Sequence, residues 1–161
     1  MQIREARHED ATAACAVMRR SIAELCGSDH HNNPAILDRW LANKTPENFA
    51  AWIADAGNRV FVAVEKDAVL AVGAVRTDGE ITLNYVSPDA RFRGVSRAML
   101  AQLEATAQAF GCEASHLSST ETARRFYLSA GYRQVGVPEG KFGTASSYPM
   151  AKRFAAGDER S

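Results

Sequence analysis

The residues best suited to chemistry lie where a predicted strand is followed by a predicted helix. Residues 81–86 have the β-branched and aromatic pattern of a strand, and apolar residues recur at helical spacing from Val95 to Phe110. Between them stands Arg91-Phe92-Arg93-Gly94-Val95-Ser96. Gly94 allows a ligand to approach the backbone closely, and the free N–H groups of a helix start attract anions. The stretch predicts a phosphate-binding turn, although alone it also fits an exposed basic turn capped by Ser96.

A tyrosine on the following helix is the second candidate group. Residues 113–118 form another predicted strand, and Ser119 or Thr120 is placed to cap a helix whose apolar stripe includes Phe126 and Tyr127. A strand, a helix and a parallel strand connect with right-handed geometry, so both helix starts lie at the end of the sheet where ligands bind. We therefore expect Tyr127 near the phosphate-binding turn and Phe126 in the core. A phosphate site beside a phenol indicates group transfer from a nucleotide-bearing carrier.

Both stretches resemble the motifs of the GNAT family, the Gcn5-related N-acetyltransferases. The first family motif is a strand ending near a valine and then Arg/Gln-x-x-Gly-x-Gly/Ala, which here reads Val86 and then Arg91 to Ser96. The second motif is Ala-x-x-x-Tyr followed by Gly-Phe/Tyr, which here reads Ala123 to Tyr127 and then Gly131-Tyr132. The resemblance covers residues 59–150. The chain departs from the family at Ser96, where Gly or Ala is usual, and at Thr120, where Asn often stands.

The resemblance implies transfer of an acetyl group from acetyl-CoA, the co-substrate, to a primary amine by direct attack in a ternary complex. Tyr127 is then the acid that protonates the departing sulfur, and the backbone N–H near Val86 binds the oxyanion. The cofactor contacts implied by the motifs are Val86, Arg91, Phe92, Arg93, Gly94, Val95, Ser96, Arg97 and Thr120. No metal is expected, because the adjacent histidines His30 and His31 point apart.

The sequence indicates the general base and the acceptor site less clearly than it indicates the cofactor site. Glu80 shares one strand face with Asn84 and Val86 if no bulge intervenes, and that face would line the cleft. In the family's histone-modifying branch a glutamate lies the same distance before the first motif, so Glu80 is the favoured base, although it also fits an ordinary surface carboxylate. A water chain is an alternative to Glu80, and Glu24, Asp29 and His30 are rival residues for the same role. The loop after the first helix often borders the acceptor pocket in this family. The expected acceptor contacts are Glu24, Asp29, His30 and Asn84.

The expected acceptor is the amine of a small molecule. With 19 basic and 19 acidic residues the net charge is zero, which argues against nucleic-acid binding and gives no support to a basic groove for a macromolecular acceptor. A protein or peptide amine is one alternative. A non-catalytic acyl-CoA-binding protein is another, and the presence of Tyr127 counts against it. A homodimer is also compatible with the sequence.

Composition predicts a small folded protein in a reducing setting. Hydrophobic residues make up 46% of the 161 residues, so a core is expected. No apolar run approaches about 20 residues, so no membrane span is expected, and the N-terminus does not read as a signal peptide. Three cysteines, odd in number and without metal-like spacing, favour the cytoplasm.

The predicted fold is of the α/β class with a mixed sheet, a GNAT-type fold in one domain over residues 1–154, followed by a frayed tail over 155–161. A first strand over 3–6 leads into helices that open at His8, at Asn33-Pro34 and at Thr45-Pro46. Strands over 59–65, 69–75 and 81–86 form an antiparallel meander. The βαβ unit follows, and strands over 132–137 and 147–153 complete the sheet.

Overall fold

A computed structural model describes residues 1–140 and 147–155 of the chain. Helices and short 3-10 turns alternate with strands in the predicted order. The helices are α1 (Ala11–Leu25), α2 (Gly27–His30), α3 (Pro34–Leu41), α4 (Pro46–Ala54), α5 (Val95–Ala109) and α6 (Arg124–Ser129). The strands are β1 (Gln2–Glu5), β2 (Asn58–Glu65), β3 (Ala68–Arg76), β4 (Ile81–Val86), β5 (Ala114–Ser119), β6 (Arg133–Gln134) and β7 (Tyr148–Arg153).

The starts of α3 and α4 show why the N-terminal helices are short and separate. The Asn33 Oδ1 accepts hydrogen bonds from two N–H groups of the first turn of α3, and Pro34 occupies the first helical position. Thr45 Oγ1 accepts from the Asn48 N–H at 3.1 Å, with Pro46 next to it. Both arrangements satisfy helix-start donors that would otherwise lack partners. The predictions of these two helix starts are confirmed.

The strands form two sheets that meet at one point. The first sheet has the antiparallel order β1-β2-β3-β4, which confirms the predicted meander, and the second has the order β5-β7-β6. Between β4 and β5 the described residues make a single parallel bridge, from Glu80 to His116. Beyond that bridge the two strands belong to different sheets, so a gap opens between them toward Val86 and Ser119.

Two apolar layers cover the first sheet. On one face α5 packs with Met99 and Leu103 buried against β3, and Tyr127 of α6 joins the same cluster. A Cβ atom at Gly73 of β3 would lie 2.7 Å from the Met99 sulfur, so this glycine allows α5 to approach the sheet closely. On the other face α1 and α4 bury residues such as Met18 and Phe49. This packing holds the start of α5 at the open end of the gap.

The C-terminal strands differ from the prediction. Only Arg133–Gln134 forms a regular strand within the predicted 132–137, followed by an isolated bridge from Glu139 to Ser147. Gly136 and Pro138 interrupt the segment, because proline has no N–H for a ladder and glycine weakens a strand interior. Residues 141–146, and 156–161 of the predicted tail, lie outside the described residues. In the ranges that the structure describes, no helix is both long and apolar enough to cross a membrane.

Candidate active site

The gap between β4 and β5 widens into a cavity of about 420 Å³. Its lining combines the end of β4, the turn and first residues of α5, the end of β5 and one face of α6. The motif residues found in the sequence therefore converge on one space. The lining also includes residues from the end of α1 that the sequence did not single out, namely Ser21, Leu25 and Cys26.

The start of α5 is shaped to receive an anion. The first helical hydrogen bond runs from the Ala98 N–H to the Gly94 carbonyl at 3.1 Å. The N–H groups of the three residues between them thus precede the helical ladder and are available to a ligand. Gly94 has φ 78°, and a Cβ atom built on it would meet no atom of the described residues within 4 Å. The space beside Gly94 is open, as a phosphate approaching the backbone requires.

Phe92 in the same turn adopts a conformation that is unusual for its type. Its φ is 62°, and its side chain is 91% exposed, with the Arg91 guanidinium 4.5 Å from the ring centroid. A bulky residue at positive φ is strained, and such strain concentrates at ligand sites. Phe92, Arg91 and Gly94 all line the cavity. The turn therefore presents a cation, an exposed ring and open backbone to the same space.

Of the predicted cofactor contacts, Arg93 alone lies outside the cavity lining. Its guanidinium pairs with the Glu65 carboxylate at 2.6 Å, which directs it toward the end of β2 and lowers the pKa of Glu65. Arg97 lines the cavity and donates to the Ser129 hydroxyl at 3.4 Å. Thr120 also lines it, and its Oγ1 accepts from the Ala123 N–H at 3.0 Å. The positive charge beside the helix start thus comes from Arg91 and Arg97.

Tyr127 faces the gap. Its side chain is only 6% exposed, and its hydroxyl oxygen accepts a 2.9 Å hydrogen bond from Asn84 Nδ2. Burial raises the pKa of Tyr127 to about 12, and the bond from Asn84 opposes this only in part. Because the hydroxyl accepts from Asn84, its own hydrogen is available for a second partner in the cavity. The phenol therefore stays protonated at neutral pH and is placed to donate.

The backbone at the end of β4 supplies a further donor. In an antiparallel pair the N–H groups alternate between facing the partner strand and facing away from it. The Ser87 N–H donates to the Leu70 carbonyl of β3 at 2.7 Å. The N–H of the preceding Val86 consequently points away from β3 and toward the gap. This is the position at which the family resemblance expects an oxyanion to bind.

A bulge in β4 changes the environment expected for Glu80. Ala74 pairs with Leu83 and Val75 pairs with Ile81, which leaves Thr82 as an extra residue. Ile81 consequently packs in the α5-side cluster and Leu83 in the α1-side cluster, whereas a regular strand would place both on one face. The shared face expected for Glu80 and Asn84 required a strand without a bulge, and that condition is not met.

Glu80 lies outside the cavity lining, at the closed end of the gap. Asp78 and His116 lie beside it, and the possible ligand atoms of these three residues all lie within 4.8 Å of one another. The grouping has the residue types of a metal site, but exposed acidic residues often cluster without binding an ion. Asn84, which was expected beside Glu80, instead contacts Tyr127.

The segment from Glu24 to Asn33 is not an irregular loop throughout, because it contains the short helix α2. Glu24 is on the surface and pairs with Arg20 at 2.9 Å. His30 is fully buried, with Nε2 near the Ile22 and Ala23 carbonyls and Nδ1 accepting from the Asn32 N–H. Both ring nitrogens are thus engaged by the backbone at the end of α1. Neither Glu24 nor His30 lines the cavity that contains Tyr127.

Asp29 is also buried, but it lies at a cavity wall. Its carboxylate accepts hydrogen bonds from the Glu121 N–H, the Thr122 N–H and the Thr122 hydroxyl, at 2.7, 3.2 and 2.6 Å. These bonds fix the turn that carries Thr120 to the start of α6. Asp29 therefore joins α2 to the wall of the gap.

A second cavity, of about 340 Å³, lies against the same gap. It shares five lining residues with the first cavity: Thr82, Leu83, Tyr85, Ser118 and Thr120. Its remaining wall comes largely from the N-terminal helices and the start of β2, and includes Asp29, Trp40, Lys44, Trp52 and Asn58. Sequence reasoning missed all of these except Asp29. No local pattern marks them, because they come from separate elements and Lys44 stands in an ordinary turn between two helices.

Lys44 is the unusual member of this wall. Lys44 is only 4% exposed, and its Nζ donates to Asn43 Oδ1 at 2.8 Å. Nζ also lies 5.9 Å from the centroid of the Tyr85 ring. Burial lowers the pKa of Lys44 to about 8. A largely buried ammonium thus borders the second cavity at neutral pH.

Comparisons with known proteins agree with this geometry. The family model described as an acetyltransferase (GNAT) domain matches residues 28–154. No curated protein matches the chain significantly.

Among solved structures, a GCN5-related N-acetyltransferase from Rhodopseudomonas palustris superimposes with a TM-score of 0.84, at 22% identity and 95% coverage of both chains. PaiA N-acetyltransferase from Thermoplasma acidophilum, solved in complex with coenzyme A, has a TM-score of 0.82 at 15% identity and covers 95% of this chain and 98% of its own. Ribosomal-protein-alanine N-acetyltransferase from Brucella melitensis has a TM-score of 0.72 at 22% identity, over 96% of this chain and 100% of its own. At these identities the likeness concerns the fold, and the family model carries the assignment. The chain belongs to the GNAT family of acetyltransferases and is an acyltransferase enzyme.

Proposed function

We propose that the enzyme moves the acetyl group of acetyl-CoA to a primary amine of a small molecule, by direct attack in a ternary complex. The observation that carries the proposal is the position of the Tyr127 hydroxyl. It lies in the gap between β4 and β5, hydrogen-bonded to Asn84 at 2.9 Å, in the same cavity as the open helix start at Gly94. A carrier whose phosphates lie at that helix start can extend its thioester into the gap.

The phosphates of the carrier are assigned to the start of α5. The N–H groups ahead of the Ala98 bond, together with the helix dipole, favour an anion there. Arg91 and Arg97 add charge from the cavity wall. Val86, Phe92, Val95, Ser96 and Thr120 complete the proposed contacts, all within the lining. Arg93, which pairs with Glu65, is assigned to the surface instead.

The transfer follows from this placement. The lone pair of the amine attacks the thioester carbon, and the carbonyl oxygen becomes an oxyanion that accepts a hydrogen bond from the Val86 N–H. When the tetrahedral species collapses, the C–N bond remains and the C–S bond breaks. Tyr127 donates its hydroxyl proton to the departing sulfur and regains a proton from solvent. General acid help of this kind is typically worth about 10²–10⁴ in rate.

The amine must lose a proton, and two routes agree with the geometry. In the first, water in the gap relays the proton to Glu80, which lies at the closed end beside the bridge to His116. In the second, water passes it directly to solvent. The rate of a Glu80→Gln variant separates them, because the first route predicts a slower acetyl transfer at neutral pH and the second predicts no change.

Direct attack is favoured over an acetylated enzyme intermediate. Cys26 is the cysteine in the lining of the first cavity. Burial, together with the charge of Asp29, raises the pKa of Cys26 to about 12. The thiolate is the nucleophilic form of cysteine, and at neutral pH this thiol remains protonated. Cys26 is therefore a wall residue in the proposal and not an acetyl carrier.

The size and position of the second cavity favour a small molecule as the acceptor. Its volume of about 340 Å³ suits a compact molecule, and the five shared lining residues place it directly beside the first cavity. The Brucella melitensis neighbour is named for a protein acceptor, so the fold itself is compatible with either class. The three free cysteines of the described chain also agree with our inference of a cytoplasmic enzyme.

Acetyl-CoA turnover against an acceptor panel tests the proposal. Thiol release is followed with amino acids, simple amines, aminoglycosides and peptides, each at several concentrations. Release that depends on a small amine and yields its N-acetyl product supports the proposal. Release only with peptides assigns the enzyme a protein acceptor, and no release with any amine contradicts acetyl transfer.

A further inference from the structure

Asn58 holds a buried polar atom without a hydrogen-bond partner among the described residues. The residue stands at the start of β2 and is 6% exposed. The atom is its side-chain oxygen, Oδ1. An unsatisfied buried acceptor is rare in folded proteins, and each one calls for a specific explanation. Asn58 also lines the second cavity, so a ligand of that cavity can supply the missing donor.

The amide nitrogen of Asn58 fixes which atom is left for a ligand. Nδ2 donates to the Trp52 backbone carbonyl at 3.2 Å. Because a carbonyl only accepts, the amide cannot be turned over to present Oδ1 to Trp52. The backbone N–H of Asn58 donates to the Asp55 carbonyl at 3.0 Å, which ties the residue to the end of α4. The residue therefore offers an acceptor, and not a donor, in a fixed orientation.

The remaining wall of the second cavity favours an apolar ligand body. Trp40, Trp52 and Tyr85 line it with aromatic surface, and Leu83 adds an aliphatic side chain. Such walls bind the apolar part of a ligand, while a few polar groups fix its orientation. The five lining residues shared with the first cavity place this ligand directly beside the cavity that contains Tyr127.

The carboxylate content of the wall favours a neutral donor over a second ammonium group. Among the described residues, Asp29 is the only acidic one in the lining of this cavity. Its carboxylate already accepts three hydrogen bonds from the turn before α6. A buried cation without a counter-charge is costly, whereas a hydroxyl or an amide N–H needs only an acceptor such as Asn58 Oδ1.

We propose that the second cavity binds the acceptor as an amine whose apolar body ends in a neutral hydrogen-bond donor, and that this donor bonds to Asn58 Oδ1. The inference rests on the proposed function for the identity of the reacting amine. It gives the acceptor a class, namely amines that carry a hydroxyl or an amide N–H at the end of the molecule away from the amine. Amines whose far end is apolar or is a second ammonium group are poorer ligands, because they leave Oδ1 unsatisfied or bury a charge.

Product analogues that differ only at the far end test the proposal without requiring turnover. N-acetylpentylamine, N-acetylaminopentanol and N-acetylcadaverine end in hydrogen, a hydroxyl and an ammonium group, and N-acetylphenethylamine and N-acetyltyramine form an aromatic pair without and with a hydroxyl. Their binding to the CoA-loaded enzyme is measured by calorimetry. We expect the hydroxyl compound of at least one series to bind at least about fivefold more tightly than its apolar counterpart, the ratio expected for one uncharged hydrogen bond. N-acetylcadaverine should bind more weakly than N-acetylaminopentanol.

Variants show whether Asn58 causes the preference for a hydroxyl. Asn58→Leu removes the amide at similar size, and the preference should disappear. Asn48→Leu is the matched control, because Asn48 Nδ2 also donates to a backbone carbonyl, that of Asn43 at 3.0 Å, but Asn48 lines neither cavity. This control should keep the preference. If Asn58→Leu fails to fold, loss of the preference in Asn58→Ala, with CoA affinity retained, supports the proposal equally.

Equal binding within both series would show that solvent satisfies Oδ1 and would overturn the proposal, as would binding of no analogue at millimolar concentration. A preference that persists without the Asn58 amide, or tighter binding of N-acetylcadaverine than of N-acetylaminopentanol, contradicts it as well. Acetyl transfer to small amines without preference for a neutral donor would sink this inference and leave the proposed function standing. Asn58-dependent binding of the analogues without acetyl transfer to any amine would keep the ligand class and remove the proposed function.

Discussion

Asn84 on β4 and Tyr127 on α6 meet across the gap between the two sheets, with Asn84 Nδ2 2.9 Å from the tyrosine hydroxyl oxygen. The two residues are 43 positions apart in the chain and come from elements on opposite sides of the cavity. The bond orients the phenol and leaves its hydrogen for a ligand. It also joins the strand that carries the Val86 N–H to the helix that carries the proposed acid.

A matched pair of glycines tests the phosphate site. Gly94 and Gly111 have φ of 78° and 92°, at the two ends of α5, and a Cβ atom on either would have no neighbour within 4 Å in the described part of the chain. Valine at either position is strained by about 1–2 kcal/mol because of the left-handed backbone. Only Gly94→Val should also abolish CoA binding, since its side chain fills the space of the phosphates. Calorimetry with CoA on both variants checks this, and wild-type affinity in Gly94→Val would remove the site from α5.

The pH dependence of the reaction tests the protonation state of the Tyr127 hydroxyl. Its pKa is raised to about 12, so the proton-donating form persists well above the usual tyrosine value of 10.0. We predict that kcat does not fall between pH 7 and 10 through loss of the acid. A fall near pH 9 that is absent from Tyr127→Phe would show instead that the phenol ionises early, which contradicts burial as the dominant influence.

A variant of Cys26 tests whether the acetyl group passes directly to the amine or first to the enzyme. Since the pKa of its thiol is raised to about 12, we expect Cys26→Ala to retain most of the kcat, with a change no larger than about threefold from altered packing. Initial velocities with both substrates varied should give intersecting lines, as a ternary complex requires. Parallel lines, together with inactivity of the variant, would establish an acetylated Cys26.

Asp29 holds a wall that both cavities share, so its loss should not be specific for the acceptor. We expect Asp29→Ala to destabilise the fold by about 1–3 kcal/mol, because the N–H groups of Glu121 and Thr122 lose a buried acceptor. The Michaelis constants for acetyl-CoA and for the amine should both rise. Urea unfolding and steady-state kinetics measure the two effects, with Asp38→Ala on the exposed face of α3 as the control. A rise for the amine alone would contradict this expectation and support the acceptor role predicted for Asp29 from the sequence.

The parts of the site that could be predicted from sequence are those encoded locally. Gly94 and the strand and helix around it form a contiguous pattern, and Asn33 and Thr45 mark helix starts through their own side-chain bonds. The bulge at Thr82 could not be predicted, because it depends on how β4 aligns with β3. Only the expectation that Glu80 and Asn84 share one strand face is wrong, since one extra residue reverses which face a side chain occupies.

The second cavity could not be predicted for a different reason. Lys44 and Asn58 come from a helix–helix turn and a strand start, and only the packing of α3 and α4 over the sheet brings them together. Lysine is rarely buried, so the residue type itself suggested a surface position. Likewise, Arg93 belongs to the motif but turns toward Glu65, a residue of another strand.

The most direct test is the single-turnover rate of acetyl transfer from a preformed enzyme–acetyl-CoA complex, compared between wild type and Tyr127→Phe. The variant keeps the ring and removes only the hydroxyl, which is the proposed proton donor and the acceptor of the Asn84 bond. We predict a rate at least about tenfold lower with unchanged affinity for CoA, as expected for loss of a general acid. Tyr132→Phe, which loses the buried bond to Ser115 at 2.6 Å, should lower stability and leave this rate close to wild type. An unchanged rate in Tyr127→Phe would show that Tyr127 is a packing residue and would contradict the proposed mechanism.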